Sequence, residues 1–214
     1  MNHASYFRVF GLLLSLLFVG ASAVACVDEE NEVAFGPSTG AVSAETELTS
    51  DCGDTEPAIG RLRGRVYSLP LETRQLPDFD ALRPVGTICL RGLAVTERRG
   101  YPGFPGLRNR FEWFGVDFGG SFVVSQAGLY HFRLTSDDGS RLYVDAALAI
   151  DNDGFHVTRS AESAVYLEAG THSIGVPYWQ GPGPMALTLE VAPPGEGYEV
   201  FQLDRPLAPQ VTSP

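Results

Sequence analysis

No lysine occurs anywhere in the 214 residues, so every basic side chain other than the four histidines is an arginine. That absence excludes Schiff-base chemistry and a lysine general base. Positive charge is scarce altogether: 15 basic residues face 26 carboxylates, and the formal charge is −11. Such a balance argues against nucleic acid or an anionic lipid surface as a direct partner and suits metal cations better. Cysteine is rare and odd in number, with Cys26, Cys52 and Cys89 alone, so any one pairing leaves a thiol over. Helical periodicity is missing beyond the N-terminal segment, where no stretch carries a credible apolar face at 3.6-residue spacing. No His-Glu-x-x-His helix is present, and the histidines have no partner at zinc spacing.

What is present suffices for one domain with short appendages. Hydrophobic residues make up 44% and aromatics 11%, enough to fill a real core. Residues 1–25 carry a lone Arg8, an apolar run from Val9 to Val19 and small residues up to Ala25, the pattern of a secretory signal peptide. Two cleavage readings stay open. Ala21-Ser22-Ala23 or Ala23-Val24-Ala25 suits ordinary signal peptidase, whereas Ala23-Val24-Ala25-Cys26 resembles a bacterial lipobox, with Cys26 lipidated. Lipidation of Cys26 would leave Cys52 and Cys89 as an even pair for a disulfide in an oxidising compartment. The expectation is an envelope lipoprotein facing the periplasm or the cell surface, with plain secretion as the alternative. Residues 26–59, acidic through Pro57 and without a basic side chain there, read as a solvated tether, and 204–214 as a loose proline-rich tail.

Residues 60–203 read as an all-β domain of many short strands separated by turn signals. Arg61-Leu62-Arg63-Gly64-Arg65 predicts an edge strand with one wet face. Gly100 to Gly106 must be irregular, since its prolines and glycines sustain neither ladder nor helix. Phe111 to Phe118 and Ser121 to Val124 predict aromatic strands. The organising stretch is Leu129 to His156. Tyr130, Phe132 and Leu134 alternate with polar residues, and Leu142 and Val144 resume the alternation after Ser136-Asp137-Asp138-Gly139-Ser140. Read alone, that is a hairpin whose adjacent carboxylates face water. Asp151-Asn152-Asp153-Gly154 predicts a side-chain-stabilised turn and His156 a turn or rim residue; the run lacks the spacing and distal glutamate of an EF-hand loop. Tyr178 shares the register of Ile174 and Val176 and belongs to the core. Trp179 has the opposite register, which fits either a ligand-facing aromatic or an outer cover of the sandwich.

Four phrases carry a resemblance: Gly128-Leu129-Tyr130-His131-Phe132, Ser136-Asp137-Asp138-Gly139-Ser140, Ile150-Asp151-Asn152-Asp153-Gly154 and Tyr178-Trp179-Gln180-Gly181. In order and spacing they resemble the PA14 domain family over roughly Gly60 to Phe201. The resemblance implies an antiparallel β-sandwich with long loops, which in many members binds carbohydrate with Ca2+. It implies a cis peptide between Asp137 and Asp138, with both carboxylates on calcium. It further implies Gln180 as the side-chain amide ligand and Gly181 and Gly183 as backbone ligands; Trp179 adjoins that loop, where an aromatic face would pack against a sugar, or else covers the outside of the sandwich. An enzyme is excluded, because glycosidase carboxylates flank the scissile bond from opposite sides, which neighbours in one turn cannot do. The expected role is a lectin-like or adhesin-like module with a glycan partner. The alternative is a structural or protein-interaction domain of the envelope that does not bind sugar.

Overall fold

Alternating side chains pair into twelve strands in the computed structural model, which describes residues 60–208 and the backbone of Leu48–Thr49. Of the two units into which the chain divides, Met1–Ser43 lies wholly outside those residues and Ala44–Pro214 contains them all. The expected signal peptide, Cys26, Cys52, nearly all of the tether and the end of the tail therefore fall outside the described residues. Cys89 is disulfide-bonded, and Cys26 and Cys52 are the cysteines left to partner it.

The strands are β1 (Leu48–Thr49), β2 (Leu62–Ser68), β3 (Gly86–Leu90), β4 (Ala94–Arg98), β5 (Phe114–Val124), β6 (Gly128–Asp137), β7 (Ser140–Val144), β8 (Ala147–Asn152), β9 (Arg159–Leu167), β10 (Gly170–Gln180), β11 (Met185–Ala192) and β12 (Glu199–Val200). One sheet runs β1-β3-β2-β5-β10-β7-β8 and the other β12-β11-β6-β9, with β4 also paired to β11. All pairings are antiparallel except β1 with β3. Between the sheets lie Val116, Phe118 and Phe122 of β5, Tyr130, Phe132 and Leu134 of β6, Val176 and Tyr178 of β10, and Leu187 and Leu189 of β11, all buried. Each such large side chain contributes about 1.5 to 3 kcal/mol by leaving water. The all-β sandwich expected from the pattern is the observed architecture.

Two local expectations are corrected. The strand carrying Arg63 and Arg65 is not an edge: β2 lies between β3 and β5, and its outward Arg65 pairs with Asp117 of β5 at 2.7 Å. Two-residue periodicity reports which face is wet and says nothing of how many neighbours a strand has. Ser136 to Ser140 is not a hairpin either. β6 and β7 belong to different sheets, so the chain turns a corner through Asp138-Gly139 from one layer to the other. The true hairpin follows, between β7 and β8, where Asp145 and Ala146 both take positive φ (49° and 64°). Finally, β4 and β9 were not anticipated. In β9 the half-buried positions Ala161, Ser163 and Val165 are small or polar, a weak apolar signal for a strand at the rim of its sheet.

Candidate functional site

The corner between the sheets is where the acidic pair sits. The Asp137–Asp138 peptide is cis, and the two residues are only 4% and 2% exposed. They therefore do not face water as a hairpin turn would. Gly139 is required by packing, because a Cβ there would lie 2.4 Å from Trp179 Nε1 and 2.5 Å from Asp153 Oδ1. Behind the corner is a buried polar knot: Ser140 Oγ donates to Ser136 Oγ (2.7 Å), and Asn152 Nδ2 donates to the same oxygen (2.9 Å). Ser136, Ser140 and Asn152 occupy inward positions in phase with Leu134, Leu142 and Ile150. Three polar residues interrupting three apolar registers was a signal available in the sequence.

Two further segments complete the site. From the loop after β8, the His156 N–H donates to Asp138 Oδ1 (3.2 Å), and the Thr158 hydroxyl lies 3.3 Å from Asp137 Oδ2 and 2.7 Å from Glu97 Oε2. From the end of β10, the Gly181 N–H donates to Asp138 Oδ2 (2.7 Å). The Tyr178 hydroxyl reaches the Asp137 carbonyl (2.7 Å) and Gln180 Oε1. Burial pushes the Asp138 carboxyl up to about 6 against the pull of the Gly181 amide, and the neighbouring Asp137 charge adds to the rise. Burial likewise raises Asp137, opposed by Thr158. Tyr178 is held well above its ordinary value by burial and then by the charges of Asp138 and Asp137.

Among the described residues neither carboxylate has a cationic partner, since the ion pairs all lie elsewhere. Two adjacent buried carboxylates without a counter-charge are costly as they stand, and hard anionic oxygens of this kind match a calcium ion. No group of three or more histidine, cysteine or acidic side chains among the described residues can hold a metal by itself. A cation here would draw the rest of its shell from amide and carbonyl oxygens or water. Gln180 Oε1 accepts from the Tyr178 hydroxyl, which also reaches the Asp137 carbonyl, while its Nε2 donates to the carbonyls of Gly181 (3.0 Å) and Pro184 (2.8 Å). Gly181 joins the site through its N–H, its carbonyl taking the Gln180 amide. Gly183 stands in the same loop at φ 125°, and no hydrogen bond ties it to the pair among the described residues. Hydrogen bonds thus link Asp137, Asp138, Gln180 and Gly181 into one network.

Trp179 as a ligand-facing aromatic is corrected. Its side chain is fully buried with Tyr67, Leu69 and Phe79, and its Nε1 donates to Asp153 Oδ1 (3.1 Å). The long segment after β2 folds over the outer face of the seven-stranded sheet there, so the register opposite the core is covered too. Phe155, stacked on Trp179 at 6.3 Å, is the half-exposed ring at this place, with Arg74 4.7 Å over its face. Asp153 also accepts from the Leu76 and Gly154 amides and pairs with Arg141 at 3.2 Å, which makes it a fully partnered structural carboxylate. Asp151 caps the same turn by accepting from the Asp153 N–H at 3.0 Å.

A family model described as the PA14 domain matches residues 105–205. No curated protein sequence matches the chain. Among solved structures, a PA14 sugar-binding domain from an RTX adhesin is similar, with 22% identity over 67% of this chain and 95% of that one and a TM-score of 0.57. The PA14 domain of an antifreeze protein, MpAFP, has 18% identity over 67% and 86%, with a TM-score of 0.55. The A domain of epithelial adhesin 9 from Candida glabrata, solved with Galβ1-3GlcNAc, has 15% identity over 67% and 86%, with a TM-score of 0.52. At these identities the likeness is one of fold.

Proposed function

The chain carries a PA14 domain, and from that premise we propose that it is a non-catalytic carbohydrate-binding module that holds its glycan through calcium at Asp137 and Asp138. The observation that carries this reading is the pair of buried, adjacent carboxylates at the corner between the sheets, with no cationic partner among the described residues. Sugar-binding domains among the structural neighbours support the glycan side of it. Calcium bound there would supply coordination positions open to vicinal hydroxyls of a sugar. The chain's own residues do the orienting: the Gly181 and His156 amides fix both oxygens of Asp138, and Thr158 fixes Asp137. Phe155 and Val157, 46% and 79% exposed, give the adjoining loop apolar surface against which C–H faces of a pyranose pack. Adjacent carboxylates on one corner cannot flank a scissile bond, so the site binds without cleaving.

Export, lipid attachment at Cys26 and a Cys52–Cys89 disulfide belong to the same proposal, with the acidic segment holding the domain off the membrane. Mass spectrometry of the exported protein tests both modifications: an unmodified mature start, or free thiols at 52 and 89, overturns them. The glycan reading is tested by a glycan array run with calcium and with chelator. Binding that disappears in chelator supports it. Absence of binding across a broad panel overturns it in favour of an envelope interaction module that does not take sugar.

A further inference from the structure

A second basin lies in the irregular loop between β4 and β5. Prolines and positive-φ glycines at 100, 103 and 106 fold residues 100–111 into consecutive turns, closed by the Gly103 N–H on the Gly100 carbonyl (2.6 Å) and the Leu107 N–H on the Phe104 carbonyl (3.0 Å). The loop is pinned from below, since Phe104 and Leu107 are buried and Phe104 stacks on Tyr178 at 5.5 Å. It encloses a cleft of about 810 Å³ whose walls include Arg98, Tyr101, Arg108, Asn109 and Phe111, a volume in the range of small-ligand sites.

The charge of this cleft is opposite to that of the chain. No carboxylate among the described residues lines it, in a protein of formal charge −11. Arg65, Arg91, Arg133, Arg141 and Arg205 are matched with acids elsewhere. Arg98 and Arg108 have no ion pair among the described residues; Arg98 donates only to the Thr96 carbonyl through Nε, which leaves the rest of its fork open. Arg110, two positions on, is bound to the Ser68 hydroxyl and likewise carries no acid. Tyr101 stands 92% exposed at the lip. Two unpaired guanidiniums and an exposed ring in one preorganised concavity suit a planar anionic group on a saccharide: the fork binds the anion bidentately while the ring takes a sugar face.

The cleft is linked to the acidic corner through Tyr178, whose ring packs on the cleft residue Phe104 and whose hydroxyl reaches the Asp137 carbonyl. On β4, Arg98 lines the cleft while its neighbour Glu97 accepts from Thr158, which also contacts Asp137. We propose that this cleft is an anion subsite that selects acidic glycans by gripping a carboxylate or sulfate group through Arg98 and Arg108. The proposal deepens the carbohydrate reading and rests on it for the nature of the ligand, though not on calcium.

The test is calorimetric titration of the full chain with three oligosaccharides: an oligogalacturonate, a sulfated heparin-derived oligosaccharide and a neutral galactan of equal length. Each is run in calcium and in chelator, at low and high salt. At least one anionic ligand is expected to bind about tenfold more tightly than the neutral one, as one additional charge-assisted contact would give. Arg98→Gln/Arg108→Gln is expected to remove that advantage while leaving the melting temperature unchanged. Which anionic ligand gains identifies the group as carboxylate or sulfate. Equal binding of acidic and neutral ligands, or an advantage that survives the double substitution, overturns the subsite. Neutral binding that needs calcium without an acidic advantage overturns the subsite and keeps the calcium site; arginine-dependent acidic binding that persists in chelator keeps the subsite and overturns the need for calcium. No binding of any saccharide overturns both.

Discussion

The backbone N–H of Gly181 donates to Oδ2 of Asp138 at 2.7 Å across 43 positions of sequence. The loop leaving β10 is therefore latched to the corner leaving β6, and the carboxylate owes its orientation to a main-chain group from the other sheet.

Gly181→Ala tests that latch. An added Cβ would lie 3.1 Å from Asp138 Oδ2 and 3.3 Å from the Phe155 ring, so the loop or the carboxylate must give by a few tenths of an ångström. The expected outcome is a calcium affinity about tenfold weaker with the fold intact, as for loss of an orienting contact around a metal. Calorimetric titration of calcium reads it, and unchanged affinity would show that the latch does not position the site.

Asp137→Asn removes one of two adjacent buried charges and keeps an oxygen for Thr158. In chelator the variant is expected to melt about 2 to 4 °C above the parent, corresponding to roughly 1 kcal/mol for a domain of this size, and to lose the rise on adding calcium. Asp138→Ala is the less informative change, because it strands the Gly181 and His156 amides at a cost of about 1 to 3 kcal/mol each. Thermal melts with and without calcium decide the point: a full calcium response in Asp137→Asn removes the carboxylate from the metal site.

Trp179→Phe keeps an aromatic ring but deletes the Nε1–H that Asp153 accepts. Stability is expected to fall by about 1 to 3 kcal/mol, measured by denaturant unfolding. Glycan affinity should change little, since the indole is buried. A selective loss of glycan binding at unchanged stability would return Trp179 to the ligand site.

The β7–β8 hairpin supplies a pH signature. His172 Nδ1 is 2.6 Å from Asp145 Oδ2, and Nε2 is 2.9 Å from the Glu168 carbonyl. Burial lowers His172, but the Asp145 and Glu168 contacts outweigh it and the net shift is upward. Asp145 is lowered, first by its bond to His172. A raised histidine stabilises below its ordinary value and loses that contribution as pH climbs through the folded one; a lowered aspartate stabilises above its ordinary value and loses it on acidification. The pair is thus most stabilising between about pH 4 and 6.5. The melting difference between the parent and His172→Gln should peak there and shrink toward pH 8. A difference that is flat in pH would mean the pair contributes by packing alone.

The core was legible because Tyr130, Phe132, Leu134, Leu142 and Val144 keep one period and all turn inward. What the period does not encode is the partner. The same Asp-Asp-Gly-Ser run closes a hairpin or crosses between layers, and the choice lies with Ser136, Ser140 and Asn152, whose mutual hydrogen bonds need β6, β7 and β8 around one point. Trp179 was ambiguous for a related reason. Its register excludes the core face, but only the distant Leu69 and Phe79, folded over the opposite face, decide that this side is dry. Asp137, Asp138, Gln180 and Gly181 share one hydrogen-bonded network, and in the sequence only the family resemblance, not periodicity, groups them together with Gly183. The basic cleft was not legible, since Arg98 ends β4 and Arg108 stands ten positions on, in a loop whose path is set by Phe104 packing beneath it.

Because Asp137 ends β6 and Ser140 begins β7, the corner is the common terminus of strands from both layers. β6 is flanked by β11 and β9, and β7 by β10 and β8. A pull on anything tethered at the corner is therefore shared among four neighbouring strands rather than peeling one rim strand, and the linkage should part abruptly under tension, with single-molecule stretching recording one sharp rupture instead of stepwise unzipping.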